Sequence, residues 1–438
     1  MNIIIAGAGK VGYNLAKTLS IGHQITIIDK NSEALYRIQE NLDVLTICGD
    51  LEDSNIYQNF IEKEIDLFIA VADVDNVNLI ASLMADAILH IRRKFIRLQK
   101  HIFAEEIIRD KLDIDKIIFP TKLSSSAVAS LLNYPKANNV KFFKYTENRL
   151  ISIRVSKDIT PFVLTSSRPF TIAGIERDKR FFIPQNDIQI EPNDLIYLFG
   201  KEDDIRDVCT ELEPENRSEI RRCVVFGGEG LGIAIAKELV EIGRDVKLVE
   251  KNIALCEKAD EALAGKASVI NSKYSTDDIF EEEGLDQADI FIAATNNDEY
   301  NIIKCLEAKE KGIHKVVAIN NEMEYYNLMH ALGIIVVRGP KMSAYNKIME
   351  EIGSTGVVIQ KSFCGAKATV FMRKIFPRSK LINKIIKPIH VENSTIYYLR
   401  DEKIYPFKEK ITLEEDDLIL AFCIDEENQK VKQWIYEL

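Results

Sequence analysis

A long unit written twice constrains this chain more than any other feature. "NIIIAGAGKVG" (Asn2–Gly12) recurs as "CVVFGGEGLG" (Cys223–Gly232), aligning Gly7 with Gly227 and Gly12 with Gly232. "QITIIDKN" (Gln24–Asn31) recurs as "DVKLVEKN" (Asp245–Asn252), and "DLFIAVADVDNVNLI" (Asp66–Ile80) as "DIFIAATNNDEYNII" (Asp289–Ile303). The interval of about 220 residues is far longer than the roughly 20–50 of solenoid repeats, so a whole two-part unit is duplicated.

Each unit opens with apolar runs alternating with helical patterns. In the first copy the expected strands are "NIIIAG", "QITIID", "VLTICG", "DLFIAVA" and "KFIRLQ". Helical patterns such as "KVGYNLAKTLSIG" and "NSEALYRIQENL" lie between them. This alternation predicts a parallel sheet covered on both faces, a doubly wound Rossmann-like α/β fold. The second part of each unit has short strand-like runs and turn residues, as in "GIERDKRFFIPQNDIQIEPNDLIYLFG" and "YYLRDEKIYPFKEKITLEEDDLILAFC". It reads as a small α+β module. The expected domains are 1–132 (nucleotide-binding, first copy), 133–210 (small module), 220–352 (second copy, altered glycine turn) and 353–438 (small module). The polar stretch from Glu211 to Arg222 is the expected linker.

Composition narrows the function classes. A net charge of −11 argues against a nucleic-acid binder. The local basic stretch "HIRRKFIRLQKH" (His90–His101) reads as a solvated strand edge. No apolar run reaches the roughly 18 residues of a membrane span. The start has no basic n-region, so no signal peptide is expected. Seven scattered cysteines with no zinc spacing predict buried, reduced thiols and no metal site. No catalytic motif appears and the six histidines are dispersed, so no catalytic residue is expected. A hydride-transfer enzyme would need an acid or base beside the nicotinamide, and the small β-rich modules offer no obvious one.

"GAGKVG" carries the glycine pattern of a dinucleotide-binding turn at Gly7, Gly9 and Gly12, between a strand and a helix. Gly7 permits the tight turn, Gly9 admits phosphate, and Gly12 lets the helix pack close. The N–H groups at the helix start, from Ala8 through Lys10 and Val11, favour an anion. Asp29 ends the second strand, where a carboxylate accepts ribose hydroxyls and repels a 2′-phosphate; the alternative is a helix cap or solvated turn. Asp50, and Ala72 with Asp73, follow the third and fourth strands at their carboxyl ends, where open α/β sheets bind ligands. Asp75 and Asn78 read equally as helix caps or ligand contacts. Arg97 is either a bidentate phosphate donor or part of a surface salt bridge.

In the second copy Gly227 and Gly232 keep the first and third glycine roles, but Glu229 replaces the middle glycine. A register from Gly228 and Gly230 places Ile233 at the third position, so neither is complete. Glu250 ends the second strand and retains a ribose partner. The expectation is a preserved fold whose phosphate position is altered.

These residues resemble the TrkA family, the cytosolic regulatory subunits of Trk-type potassium uptake systems. "MNIIIAGAGKVGYNLAKTL", "ITIIDKN", Gly49–Asp50 and "DLFIAVADVDNVN" carry the likeness, and "GIERDKRFFIPQNDIQIEPNDLIYLFG" looks like the family's small C-terminal module. The resemblance spans essentially the whole chain as tandem RCK units. It implies a non-enzymatic, cytoplasmic protein, peripheral on the inner face of the membrane. Such a protein assembles as a homotetrameric ring under a potassium-translocating membrane subunit. NAD(H), or alternatively ATP or ADP, would bind the doubly wound domains. The family's contacts carry over onto Gly7 to Val11, Asp29, Ala72–Asp73 and Arg97. The match at Ala72–Asp73 is looser, because threonine or serine with asparagine is usual there, as in "TNND" of the second copy. The competing reading is an NAD-dependent oxidoreductase with duplicated Rossmann domains; a third is a scaffold that has lost its ligand.

Overall fold

A computed structural model describes residues 1–100, 106–134, 136–165, 168–214, 219–272, 279–353 and 357–438. The first copy runs β1 (Asn2–Ala6), α1 (Lys10–Leu19), β2 (Gln24–Asp29), α2 (Ser32–Asn41), β3 (Leu45–Cys48), β4 (Leu67–Ala70), α3 (Asp75–Ile88), β5 (Lys94–Arg97), α4 (Glu106–Lys111), β6 (Lys116–Ile118) and α5 (Pro120–Asn133). The strands form a six-stranded sheet in the order β3-β2-β1-β4-β5-β6, with every neighbouring pair parallel. The order reverses beside β1, which creates the crevice where such sheets take ligands. β1 is continuously apolar because both its faces are covered: Ile3, Ile4, Ile5 and Ala6 are all buried. α1 closes one face with the stripe Val11, Leu15, Ala16 and Leu19.

The second copy repeats this sheet in the order Ser268–Asn271, Asp245–Glu250, Arg222–Phe226, Ile290–Ala293, Val316–Asn320, Ile335–Arg338. Alternate residues enter separate cores: Cys223, Val225, Ile290 and Ile292 in one, Val224, Phe226, Phe291 and Ala293 in the other. Period-two alternation into two apolar layers is the mark of a doubly wound sheet.

Each sheet has a sixth strand that five apolar runs do not foretell; β6 has only three residues. Its presence changes the reading of the basic stretch. β5 is no solvated edge but an interior strand between β4 and β6, and all four of its residues are buried. Its cations are tolerated because they are paired. Lys94 Nζ donates to the Leu112 carbonyl at 2.9 Å and meets Asp86 at 2.7 Å. His101 lies outside the described residues.

The small modules each hold a five-stranded antiparallel sheet. The order in the first is Asn139–Lys141, Arg149–Arg154, Leu195–Gly200, Thr171–Arg177, Arg180–Phe182. In the second it is Val358–Phe363, Ala368–Lys374, Leu418–Ile424, Ser394–Arg400, Lys403–Pro406. One apolar core serves both, with Phe199 against Phe422 (5.7 Å between ring centroids) and Tyr197 against Phe363 (5.1 Å). Their ion pairs repeat as well: Arg177 with Glu191 and Asp194, Arg400 with Glu414 and Asp417. The helix Glu202–Leu212 runs into the stretch expected as linker.

Contacts divide the chain into two compact units. One comprises Met1–Ser126, Asn320–Glu322 and Arg338–Met349; the other comprises Ala127–Ile319, Met323–Val337 and Glu350–Leu438. The cysteines are free; six are buried and Cys48 is exposed. Burial pushes the thiols of Cys209, Cys223, Cys305 and Cys423 up to about 12. Among the described residues, no helix is long and apolar enough to cross a membrane.

Candidate functional site

The first glycine turn is built by two close approaches and one open position. Gly7 has φ 116°, a region that side chains avoid, and a Cβ there would lie 2.8 Å from the Ala72 nitrogen. Its N–H donates to the Ile28 carbonyl at 2.9 Å. A Cβ on Gly12 would lie 1.9 Å from the Gly7 carbonyl oxygen, so α1 sits directly on the turn. At Gly9 a Cβ would meet no atom within 4 Å. Gly9 is the N-cap of α1 and supplies no side-chain acceptor, the arrangement in which a helix start favours an anion.

Asp29 closes the turn from the end of β2. Its Oδ2 accepts the Ala8 N–H at 2.6 Å and its Oδ1 the Asn31 N–H at 2.8 Å. Asn31, not Asp29, caps α2. Each carboxylate oxygen keeps a further lone pair, so ribose hydroxyls remain acceptable donors. Asp50 is exposed after β3 and accepts the Glu52 N–H at 3.0 Å. Burial, and then the Asp50 charge, push the Tyr57 hydroxyl above its ordinary range.

The loop after β4 is locked by Asn78, which is fully buried. Its Oδ1 accepts the Ala72 N–H, and its Nδ2 donates to the Ala72 and Arg97 carbonyls, at 2.8, 2.8 and 2.9 Å. Asp75 accepts the N–H groups of Gln99 and Lys100, both at 2.8 Å. Neither residue caps α3, whose N-cap is Val74 without a side-chain bond. Both instead tie the β4 and β5 loops together. Arg97 forms a salt bridge from a buried side chain, 7% exposed, whose Nη1 lies 3.0 Å from Oδ1 of the exposed Asp73. Lys10 pairs with Glu322 in the same unit, and Val11 is buried in the core.

The second turn keeps the scaffold and changes the opening. Gly227 has φ 113°, and a Cβ on Gly232 would lie 1.8 Å from the Gly227 carbonyl oxygen, which settles the register in favour of this pair. Glu250 is buried and accepts the N–H groups of Gly228 (2.7 Å) and Asn252 (2.8 Å), as Asp29 does for its own turn. A Cβ on Gly228 would come within 2.8 Å of the Glu250 side chain, while Gly230 has open space around it. Glu229 is the N-cap, and its carboxylate accepts a hydrogen bond from the Asn296 amide on the strand-four loop. Asn301 clamps this loop through Thr295 and the Ile319 carbonyl, as Asn78 does in the first copy. The position of Arg97 is therefore taken by Ile319, a buried aliphatic.

The comparisons with known proteins follow this duplication. The model of the TrkA-N domain matches residues 3–120 and again 223–340, and that of the TrkA-C domain matches 165–213. The chain belongs to the TrkA family. It is 27% identical to the Trk system potassium uptake protein TrkA of Halomonas elongata, covering 97% of this chain and 96% of that protein. It is 26% identical to a Trk system potassium uptake protein TrkA homolog of Archaeoglobus fulgidus, covering 99% of both. Among solved structures it resembles the GsuK channel bound to NAD, with TM-score 0.64 at 16% identity, covering 100% of this chain and 79% of that one. The GsuK RCK domain superposes with TM-score 0.62 at 16% identity, covering 100% and 95%. These likenesses support the doubly wound fold.

The structure brings Gly7, Ala8, Gly9, Asp29, Ala72, Asp73 and Arg97 to the carboxyl end of one sheet. Asp50 lies on the same edge, after β3. Val11 faces the core, so only its backbone is available to a ligand. Two features were not read from the sequence: the clamping role of Asn78, expected there as a helix cap or ligand contact, and the missing arginine of the second copy. Asn78 and Asn301 are loop clamps, and their signal was the repeat itself, which keeps asparagine at both positions. The loss of the arginine in the second copy was equally readable, once the fifth strands "KFIRL" and "VVAIN" are aligned through their pairing with the fourth.

Proposed function

We propose that this chain is a regulatory subunit, peripheral on the cytoplasmic face of the membrane, that gates a potassium-translocating membrane protein in response to a nucleotide. The carrying observation is the first glycine turn. An open Gly9, an uncapped helix start, the Asp29 carboxylate and the buried Arg97 fit an adenosine ribose with its phosphates. The ligand is NAD(H), or alternatively ATP or ADP; Asp29 accommodates the ribose of either and disfavours a 2′-phosphate. Gly9, Lys10 and Val11 supply backbone donors at the helix start, while Gly7 and Ala8 shape the turn with N–H groups given to the Ile28 carbonyl and Asp29. Arg97 adds a charged donor, and Asp50, Ala72 and Asp73 border the site.

The residues of the second turn do not fit a phosphate. Glu229 places a carboxylate at the phosphate position and Ile319 removes the cation, so Gly227, Gly228, Gly230, Gly232 and Glu250 serve the fold. One nucleotide binds per chain. The four expected parts, two nucleotide folds and two small modules, act as one regulatory body assembled in a homotetrameric ring. A nucleotide shifts that ring only through different affinity for its shapes. The names of the relatives, as potassium uptake proteins, support this reading over a dehydrogenase.

Calorimetry with NADH and with ATP tests the site. Asp29→Ala is expected to abolish most binding, and Glu250→Ala to leave it. Equal loss from both would overturn the assignment to one turn, and absence of binding to the wild type would overturn nucleotide control. Potassium uptake by the co-purified membrane subunit, with and without this chain, tests the partner. Steady turnover of nicotinamide against a metabolite panel would favour the oxidoreductase instead.

A further inference from the structure

Arg97 is held by a partner that does not satisfy it. A guanidinium has five N–H donors in a planar fork and is best matched by two acceptor oxygens. Here Nη1 alone meets one oxygen of Asp73 at 3.0 Å and the Val71 carbonyl at 3.5 Å. The Nε is buried without a hydrogen-bond partner among the described residues. Asp73 itself is 78% exposed on its side chain, so little but this one contact holds it. The backbone around it is fixed: Asn78 clamps Ala72 on both sides, and Ala72 abuts Gly7. An exposed carboxylate on a clamped loop thus sits on a buried, under-satisfied cation beside the glycine turn.

We infer that Asp73 is a built-in competitor for Arg97 that a nucleotide phosphate must displace. The inference rests on the first turn binding a nucleotide, and it reverses the role of Asp73 from ligand contact to affinity-setting residue. A phosphate offers the fork several oxygens where Asp73 offers one, so the exchange proceeds when the ligand carries phosphate. The displaced carboxylate swings into water, where its charge is screened. Ligands without phosphate gain nothing from the exchange. Asp73 therefore selects for phosphorylated nucleotides and sets their affinity below what Arg97 alone would give. The second copy lacks this exchange, because Asn296 and Ile319 stand at the two positions.

The test is calorimetric titration of the full chain with NADH, ADP and adenosine. Asp73→Asn should tighten NADH and ADP by roughly three- to tenfold, the scale of a partly exposed ion pair, and leave adenosine unchanged. Arg97→Gln should weaken NADH and ADP, and the double variant should match Arg97→Gln, since the competitor then has nothing to hold. Asp73→Ser, with thermal melts of all variants, guards against a folding effect. Unchanged or weaker NADH binding by both Asp73 variants would overturn the inference, as would equal tightening of adenosine. If Asp29→Ala abolishes binding while Asp73→Asn fails to tighten it, the competitor falls and the nucleotide site stands. If the wild type binds none of the three, both fall.

Discussion

Moving one methyl group between two glycines of the first turn should separate stability from ligand binding. In Gly12→Ala the new Cβ lies 1.9 Å from the Gly7 carbonyl oxygen. An ordinary carbon–oxygen contact needs about 3.3 Å, so α1 must withdraw by more than ~1 Å. The obstacle is backbone, and no flexible side chain can yield. Withdrawal loosens Val11, Leu15, Ala16 and Leu19 from the sheet. Overpacking of this kind costs about 1–3 kcal/mol or more, against at most ~1 kcal/mol returned by alanine's helix propensity. A net loss of about 2 kcal/mol should lower the melting transition of this domain by roughly 5–10 °C. In Gly9→Ala the methyl meets nothing within 4 Å, and the backbone is extended (φ −66°, ψ −176°), open to any residue. Its melt should match the wild type within ~1 °C, while nucleotide affinity falls at least about tenfold as the methyl takes the phosphate's approach. Calorimetry for binding and a thermal melt for stability read the two effects. A Gly12→Ala protein that melts like the wild type, or a Gly9→Ala protein that binds like it, would refute the reasoning.

Three further outcomes follow from other parts of the molecule. Lys315 is buried on the second nucleotide fold, donates to the Ala137 carbonyl at 3.2 Å, and is lowered by burial from 10.5 to about 7. The unfolded chain holds this proton more tightly, so the lysine's contribution is full above pH ~10.5 and is lost as pH falls to about 7. Lys315→Met should therefore raise the melting temperature more at pH 6 than at pH 9, and a pH-independent difference would count against it. Asp194 is buried and accepts two hydrogen bonds from Arg177 and one from the Glu191 N–H. Asp194→Ala should destabilise the first small module by about 3–5 kcal/mol in denaturant titration, with Asp417→Ala doing the same in the second; losses below ~1 kcal/mol would contradict this. Glu229→Gly restores the middle glycine but not the missing arginine, so calorimetric stoichiometry should stay at one nucleotide per chain; a second site appearing would show that the glycine alone decides.

The fold was legible because it is repetitive and apolar. β1, β2 and β4 are runs that no helix period explains, and three spaced glycines mark where the first strand meets its helix. What escaped was decided by long-range pairing. β6 is too short to show as an apolar run and exists because β5 pairs with it. That pairing also buries Lys94 and Arg97, which read locally as a solvated edge. Asp75 and Asn78 sit where helix caps belong, but their side chains turn back to the β5 loop, a contact no local spacing encodes. Glu229 was legible as a misfit, whereas its partner Asn296 depends on how two loops meet across the sheet. The division into two compact units, which regroups short pieces of the second copy with the first, has no trace in composition.

The core shared by the two small modules makes the peptide between the copies partly redundant. Phe199, Tyr197, Phe363 and Phe422 hold residues from opposite halves of the chain in one apolar cluster. Two half-length polypeptides, divided near the polar stretch before Arg222, carry everything needed to recognise each other through that cluster. Expressed as separate tagged fragments, they should complement one another into a single soluble species, while a fragment pair carrying Phe422→Ala should not. Duplication within one chain keeps that shared core intact while the two glycine turns diverge.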